Sequence, residues 1–237
     1  MGADCRVKIC GTTRIEDALL SADAGADFFG VVVEVAFSPR SLTIEAALPL
    51  FAGPPIPGVA LVFGMAPERI EAAVRRLRPF AIQFLDPAPL PLLRHLKSAH
   101  PPLEVWQSVH LPQAGEGADV DRFRRAVDGF LEAGVDALLF DTVAVIGGKT
   151  KFGGTGRTSD WGLVRKLMDA AGRSVPAWLA GGIHPGNAAR ALEAVNPYGI
   201  DLCSGVEARP GIKDPERIRA LMAAIRQQSG IHPRTDG

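Results

Sequence analysis

The sequence predicts one α/β domain, a barrel of eight parallel strands that are each followed by a helix. The chain has 237 residues, and a single barrel of this kind takes about 200 to 250. Continuous apolar runs alternate along it with segments of helical periodicity, a pattern typical of parallel strands covered on both faces. The loop after the first run reads Cys10-Gly11-Thr12-Thr13. A doubly wound sheet usually carries G-x-G-x-x-G there, so the barrel is favoured.

Eight strands are predicted from the apolar runs. They cover residues 7–10, 28–33, 59–63, 80–84, 103–109, 137–140, 175–180 and 200–203. After the first strand, a capping box from Thr13 to Glu16 predicts the start of a helix, and Gly25 is expected to end it.

Further helices are indicated by start signals and apolar stripes. Pro67 starts one, residues 123–131 carry the stripe of another, and Asp214-Pro215 opens the last. Because no linker divides the chain, we expect one barrel over residues 1–228 and a polar tail over residues 229–237.

The composition limits what the protein binds and where it works. Lys plus Arg and Asp plus Glu number 26 each, without a long block of like charge, so no surface for nucleic acid or an anionic membrane is expected. No signal peptide is expected, because the first residues lack a suitable apolar segment, and no run approaches the roughly 18 apolar residues of a membrane span. Cys5, Cys10 and Cys203 show no C-x-x-C spacing, which favours a reduced cytoplasm over a disulfide framework or a zinc site.

Two groups that can exchange protons stand at the ends of predicted strands. Alternation places Lys8 and Cys10 on the face of the first strand that points into the barrel. Asp141 follows the sixth strand, three places round the ring, so a thiol base and a carboxylic acid would face each other across the mouth. Plainer interpretations exist. An isolated cysteine is usually a small buried hydrophobe, an aspartate after a strand is usually a turn or cap residue, and Lys8 is more simply a paired structural lysine.

Glycine-rich loops follow the last three predicted strands. They are Gly153-Gly154-Thr155-Gly156, Gly181-Gly182 and Ser204-Gly205. Barrels often bind phosphate at these loops through backbone N–H groups that glycine lets approach closely. One such pair alone is more often a turn, but three on adjacent strands predict a phosphate site. Arg40, after the second strand, either pairs with a substrate carboxylate or forms a surface salt bridge.

Taken together, these segments resemble the phosphoribosylanthranilate isomerases, a family that catalyses an Amadori rearrangement in tryptophan biosynthesis. Their order and rough spacing agree from Val7 to about Asp214. The resemblance is strongest in Lys8-Ile9-Cys10-Gly11, Ser38-Pro39-Arg40, Phe140-Asp141-Thr142, Gly153-Gly154-Thr155-Gly156 with Asp160-Trp161, Ala180-Gly181-Gly182-Ile183 and Asp201-Leu202-Cys203-Ser204-Gly205-Val206-Glu207.

The resemblance implies an isomerase without cofactor or metal, in which Cys10 is the general base and Asp141 the general acid. It implies that Arg40 binds the anthranilate carboxylate, with Lys8 and Asp201 also at the substrate. Phosphate binding falls to Gly154, Thr155, Gly156, Gly181, Gly182, Ser204 and Gly205. The expected partner is a small phosphosugar, and the expected assembly is a monomer or a homodimer.

Two segments depart from the family's pattern. Gln83-Phe84-Leu85-Asp86 stands where the family usually has Gln-Leu-His-Gly, and Leu61-Val62-Phe63-Gly64 replaces Val-Phe-Val-Asn. We therefore expect Asp86, together with Glu34 near the mouth, to repel the anthranilate carboxylate. Two alternatives stay open: a divergent paralogue that isomerises another phosphoribosyl-amine, as in histidine biosynthesis, and a phosphosugar-binding barrel without catalysis.

Overall fold

The computed structural model describes residues 5–146, 149–152, 158, 160–172 and 174–229, and its centre is a closed barrel of eight parallel strands. The ring closes because Lys8 in the first strand is in register with both Phe28 in the second and Asp201 in the eighth. The predicted fold class is confirmed. The strands are β1 (Arg6–Ile9), β2 (Phe28–Val33), β3 (Gly58–Val62), β4 (Ala81–Phe84), β5 (Glu104–Leu111), β6 (Ala137–Ile146), β7 (Ala177–Leu179) and β8 (Gly199–Leu202).

In the described part of the chain, eight helices alternate with these strands. They are α1 (Ile15–Asp23), α2 (Ile44–Ala52), α3 (Pro67–Leu77), α4 (Leu90–Ala99), α5 (Val120–Glu132), α6 (Trp161–Ala171), α7 (Ala188–Val195) and α8 (Pro215–Ser229). The predicted helices correspond to α1, α3, α5 and α8. Between β8 and α8, a short 3₁₀ turn (Ser204–Val206) leads into a hairpin of Glu207–Arg209 and Ile212–Lys213.

The start of α1 differs from the prediction. Arg14, not Thr13, precedes the helix, and no side chain caps it. Thr13 Oγ1 donates instead to the carbonyl oxygen of Gly211 at 2.6 Å, so a tertiary contact with the hairpin replaces the expected capping box. Gly25 follows the helix with φ +93°, as expected for a residue that ends one.

Aromatic side chains close the N-terminal end of the barrel. Phe28, Trp106 and Trp178 lie near the starts of β2, β5 and β7, with ring centroids 5.3 to 5.7 Å apart. Gly199 makes room for this floor, because a Cβ there would stand 2.5 Å from the Trp178 ring. Since the floor is filled, the open space inside the barrel lies at the C-terminal ends of the strands.

None of the helices described is both long and apolar enough to cross a membrane. The predicted tail over residues 229–237 falls outside the described residues except for Ser229, which is the last residue of α8.

Candidate active site

A cavity opens among the carboxyl ends of the strands. The empty space between its walls, including open solvent at the mouth, is about 780 Å³. Cys10 and Asp141 both line it, so the fold brings the predicted pair to one cavity. The other predicted residues that line it are Arg40, Gly181, Gly182, Asp201, Ser204 and Gly205. Gly154, Thr155 and Gly156 lie outside the described residues.

Lys8 lies beneath the cavity and is fully buried. Its Nζ donates to Oδ2 of Asp201 at 2.9 Å. The other carboxylate oxygen of Asp201, Oδ1, is buried and accepts no hydrogen bond from any described residue. A buried acceptor of this kind calls for a partner, and a substrate hydroxyl in the cavity would supply one. In this pair Lys8 orients Asp201, and Asp201 faces the cavity.

Cys10 follows β1 and is buried in space that Gly30 leaves open. A Cβ at position 30 would lie 3.0 Å from the Cys10 Sγ and 3.1 Å from the Lys8 Nζ. The pKa of Cys10 is raised above its usual value, first by a hydrogen bond with Cys203 and then by burial, against the opposing charge of Lys8. The charge of Lys8 alone therefore does not make Cys10 a thiolate.

Asp141 faces the cavity from β6. Burial raises the pKa of its carboxyl group, while His110 and a hydrogen bond from the Thr142 backbone N–H act in the opposite direction. That N–H lies 2.6 Å from Oδ1. Gly181 permits the close packing here, because a Cβ at that position would lie 2.8 Å from the same oxygen. A raised pKa favours the protonated form of a carboxyl group, which is the form that a general acid needs.

His110 is a cavity residue that sequence reasoning missed. It is the register partner of Asp141 across β5 and β6, and its Nε2 is hydrogen-bonded to the carbonyl oxygen of Leu85. Strand alternation could have predicted it, because His110 lies in phase with Trp106 and Ser108 on the inward face of β5.

Arg40 reaches the cavity with its guanidinium fork already bound to a carboxylate. Its Nε and Nη2 donate to Oε1 and Oε2 of Glu207 at 2.8 and 2.5 Å. The Nζ of Lys213 donates to the same Oε1 at 3.1 Å. Burial opposes ionisation of Glu207, but the hydrogen bond from Arg40 and the charge of Lys213 outweigh it and lower the pKa of Glu207. A substrate carboxylate would therefore meet only the remaining N–H groups of Arg40.

Cys203, which is partly exposed in the cavity, completes a cluster with Arg40, Glu207 and Lys213 that sequence reasoning also missed. Its pKa is lowered, first by the hydrogen bond with Cys10, against burial, and then by the charges of Lys213 and Arg40. A pattern in β8 could have pointed to this residue. Asp201 and Cys203 alternate on one face as Lys8 and Cys10 do in β1, and a closed ring makes those two strands neighbours.

Two of the three predicted phosphate loops belong to the described residues. Gly181 and Gly182 have φ of +84° and +66°, and a Cβ at Gly205 would lie 2.0 Å from the carbonyl oxygen of Ile183. The backbone itself thus requires glycine here. Among the described residues, none accepts a hydrogen bond from the backbone N–H of Gly182, Ser204 or Gly205, so these donors remain available for an anion in the cavity.

The two segments that depart from the family's pattern contribute Leu61 and Leu85 to an apolar wall of the cavity. Val35 and Phe37 complete this wall, and Phe37 packs edge-on against Phe63 with ring centroids 5.0 Å apart.

The two acidic residues near this wall do not line the cavity. The Oδ2 of Asp86 accepts from the backbone N–H of Gly64 at 3.1 Å, and Glu34 forms an ion pair with Arg69. The expected repulsion of a substrate carboxylate therefore finds no support in the structure, because both acids are engaged elsewhere.

Comparison with known proteins decides the family. The chain matches the family model for N-(5'phosphoribosyl)anthranilate (PRA) isomerase over residues 7–224. The chain belongs to the phosphoribosylanthranilate isomerase family. The resemblance drawn from its motifs is thus confirmed.

Relatives and solved structures agree with this family over nearly the whole chain. The N-(5'-phosphoribosyl)anthranilate isomerase of Methanocella arvoryzae is 38% identical over 224 residues, which are 93% of this chain and 98% of that protein. The isomerase of Pseudomonas fluorescens is 38% identical over 223 residues, with the same coverage. The Thermotoga maritima isomerase superposes with a TM-score of 0.76 at 29% identity, covering 96% of this chain and all of the other. A further isomerase structure, in complex with reduced 1-(o-carboxyphenylamino)-1-deoxyribulose 5-phosphate, superposes at 0.74 with 28% identity and the same coverage.

Proposed function

We propose that Cys10 and Asp141 carry out the reaction of this family, the isomerisation of N-(5′-phosphoribosyl)anthranilate to 1-(2-carboxyphenylamino)-1-deoxyribulose 5-phosphate. One observation carries the assignment: a thiol and a carboxyl group whose pKa is raised by burial line one cavity from β1 and β6. These strands are three places apart in the ring, so the two groups approach a substrate from opposite sides. Both proton transfers use the protein's own side chains, and the scheme needs no cofactor.

The reaction begins with Asp141 as the acid. It protonates the furanose ring oxygen, the bond from C1′ to that oxygen breaks, and an iminium forms between C1′ and the anthranilate nitrogen. Cys10, as a thiolate, then removes the proton from C2′. The electrons of that C–H bond form the C1′–C2′ double bond and neutralise the iminium. The resulting enolamine tautomerises to the keto product.

The two sides of the cavity suit the two ends of this substrate. The backbone N–H groups of Gly182, Ser204 and Gly205 offer donors to the phosphate, and the free oxygen of Asp201 offers an acceptor to a sugar hydroxyl. The apolar wall around Phe37 and Leu85 suits the anthranilate ring. The predicted phosphate role of residues 154–156 stays a prediction.

The alternatives gain no support from the relatives reported above, which carry the isomerase name. Neither a histidine-pathway isomerase nor a non-catalytic barrel is therefore proposed. The cytoplasm remains the expected location. A Thermotoga maritima relative is described as dimeric, so a homodimer is proposed alongside a monomer.

An assay with phosphoribosylanthranilate, followed by the loss of anthranilate fluorescence, tests this function. We expect the wild type to convert the substrate and Cys10→Ala to lower kcat by at least about 10²-fold, the low end for loss of a general base. Cys5→Ala is the matched control, because Cys5 is a free cysteine outside the cavity. Circular dichroism checks that both variants fold. Near-native turnover by Cys10→Ala would exclude Cys10 as the base.

A further inference from the structure

The β1–β8 side of the cavity holds an uncompensated positive charge. Apart from the ion pair of Asp17 with Arg14, three cations, Lys8, Arg40 and Lys213, face two buried carboxylates, Asp201 and Glu207. The side chains of the three cations and two carboxylates are at most 13% exposed, so water compensates the difference poorly. Lys8 and Asp201 balance each other, whereas Arg40 and Lys213 share one carboxylate. The excess positive charge therefore lies on Arg40 and Lys213, on either side of the Glu207 carboxylate.

Cys203 is the thiol beside this excess charge. Its Sγ donates to Oε1 of Glu207 at 3.8 Å, which is a weak hydrogen bond because a thiol is a weak donor. That oxygen already accepts from Arg40, from Lys213 and from the backbone N–H of Gly211 at 3.1 Å. Glu207 Oε1 therefore keeps these three donors when Cys203 loses its proton. A thiolate on Cys203 would neutralise the charge that Glu207 leaves unpaired.

The second thiol stands on the adjacent strand. The Cys10 backbone N–H donates to the carbonyl oxygen of Leu202 at 2.7 Å, which continues the register of β1 and β8 by one residue beyond Ile9 and Leu202. Neighbouring strands lie about 4.8 Å apart, and both side chains line the cavity. Cys10 and Cys203 are therefore neighbours at the strand ends, and their thiols lie side by side in the lining of the cavity.

We propose that Cys10 and Cys203 share a single proton, so that Cys203 carries the negative charge in the resting protein and receives the Cys10 proton when the substrate is bound. Cys203 is then a positioning residue that makes Cys10 a base. Charged groups face the pair from β1 (Lys8), β8 (Asp201), the loop after β2 (Arg40) and the hairpin (Glu207 and Lys213). Asp141 and His110 face the cavity from the opposite strands.

The proton movements balance over one turnover. Asp141 gives its proton to the ring oxygen, and the Cys10 proton passes to Cys203. The Cys10 thiolate then takes the proton from C2′, which leaves both thiols protonated and Asp141 ionised. One proton must return from the thiol pair to Asp141, through solvent in the open cavity, before the next substrate reacts. The proposal uses the proposed function only for the direction in which the proton passes, because the resting charge is a property of the free protein.

Titration of the free protein tests the resting charge without any substrate. Thiolate absorbance at 240 nm, followed against pH, should show one thiolate per chain that forms below the usual cysteine pKa of about 8.5. This signal should persist in Cys10→Ser and shift upward by at least about one pH unit in Cys203→Ser. Cys5→Ser is the control and should leave the signal unchanged, because burial, with the charge of Asp27, raises the pKa of Cys5 to about 12.

Kinetics test the second half of the proposal. The pH at which kcat/KM rises should move upward in Cys203→Ser by the same amount as the absorbance signal, and Cys203→Ala should behave likewise if serine perturbs the fold. If the low-pH thiolate disappears in Cys10→Ser and persists in Cys203→Ser, the charge rests on Cys10 and the proposal is wrong. An unchanged pH profile in both Cys203 variants would overturn it as well. A wild type with the expected titration but no isomerase activity would instead contradict the proposed function and leave the shared proton standing.

Discussion

The β1–β8 side of the cavity and the β3–β5 side are built from different kinds of residue. The first side holds buried charges that are ordered by contacts within the protein, as the paired oxygens of Glu207 show. On the second side, Leu61, Gln83 and Leu85 line the cavity, whereas the nearby Asp86 does not. Acid–base chemistry needs fixed charges, whereas an aromatic ring needs only an apolar surface. The difference separates the part of the site that sets the reaction from the part that accepts the ring.

This comparison also explains where the sequence departs from the family. Buried charges depend on one another, so a change at Glu207 would leave Arg40 and Lys213 without a carboxylate. The residues of the apolar wall are largely independent of one another. Leu85 can therefore replace a histidine there without disturbing the acid–base pair, and His110 on the next strand contacts the Leu85 carbonyl group.

The largest expected effect is on the charged side. Glu207→Gln should lower the free energy of unfolding by about 3–5 kcal/mol, because it leaves two buried cations without a carboxylate. Glu34→Gln is the matched control. It removes one partner of an ion pair whose side chains are 43% and 23% exposed, and exposed pairs contribute about 0–1 kcal/mol. Urea unfolding of both variants measures the difference. Equal losses would mean that the buried cluster adds no more stability than a surface pair.

A smaller, pH-dependent effect is expected at Asp141. Burial raises its pKa, so the folded state retains a proton that the unfolded state loses above about pH 4. Wild-type stability therefore falls as the pH rises from that value through the folded pKa. Asp141→Asn removes this loss and should be more stable than wild type at pH 8, with the gain shrinking toward pH 4.

Unfolding midpoints at several pH values measure this gain, with the exposed Asp128→Asn as control. A variant that is less stable than wild type at pH 8 would show that the buried carboxylate is stabilised in its ionised form. The same variant should lose turnover while it keeps its affinity for a product analogue within a few-fold.

Strand ends were the part of the site that sequence could predict. Apolar runs fix the strands, alternation fixes which face is inward, and a closed ring then brings Cys10 and Asp141 to one mouth. The charged cluster could not be predicted in this way. Glu207 and Lys213 lie in a hairpin whose burial depends on contacts with Arg40 and Cys10, which are remote in sequence. Thr13 shows the same limit, because its hydrogen bond to Gly211 replaces a local cap that the sequence favours.

The smallest expected effect is at Asp86, on the apolar side. The departure from the family's pattern predicts that Asp86→Gly tightens substrate binding, but the carboxylate accepts a hydrogen bond from the Gly64 backbone N–H and does not line the cavity. We therefore expect the KM of Asp86→Gly to stay within about twofold of wild type. Its free energy of unfolding should fall by about 0.5–1.5 kcal/mol, the usual net value of one hydrogen bond. Asp86→Asn is the control, because its amide oxygen can still accept from Gly64 and should keep most of that stability. Steady-state kinetics and urea unfolding of the two variants separate the outcomes. If Asp86→Gly bound the substrate several-fold more tightly, the carboxylate would reach the cavity after all, and the β3–β5 side would share in electrostatic control of the site.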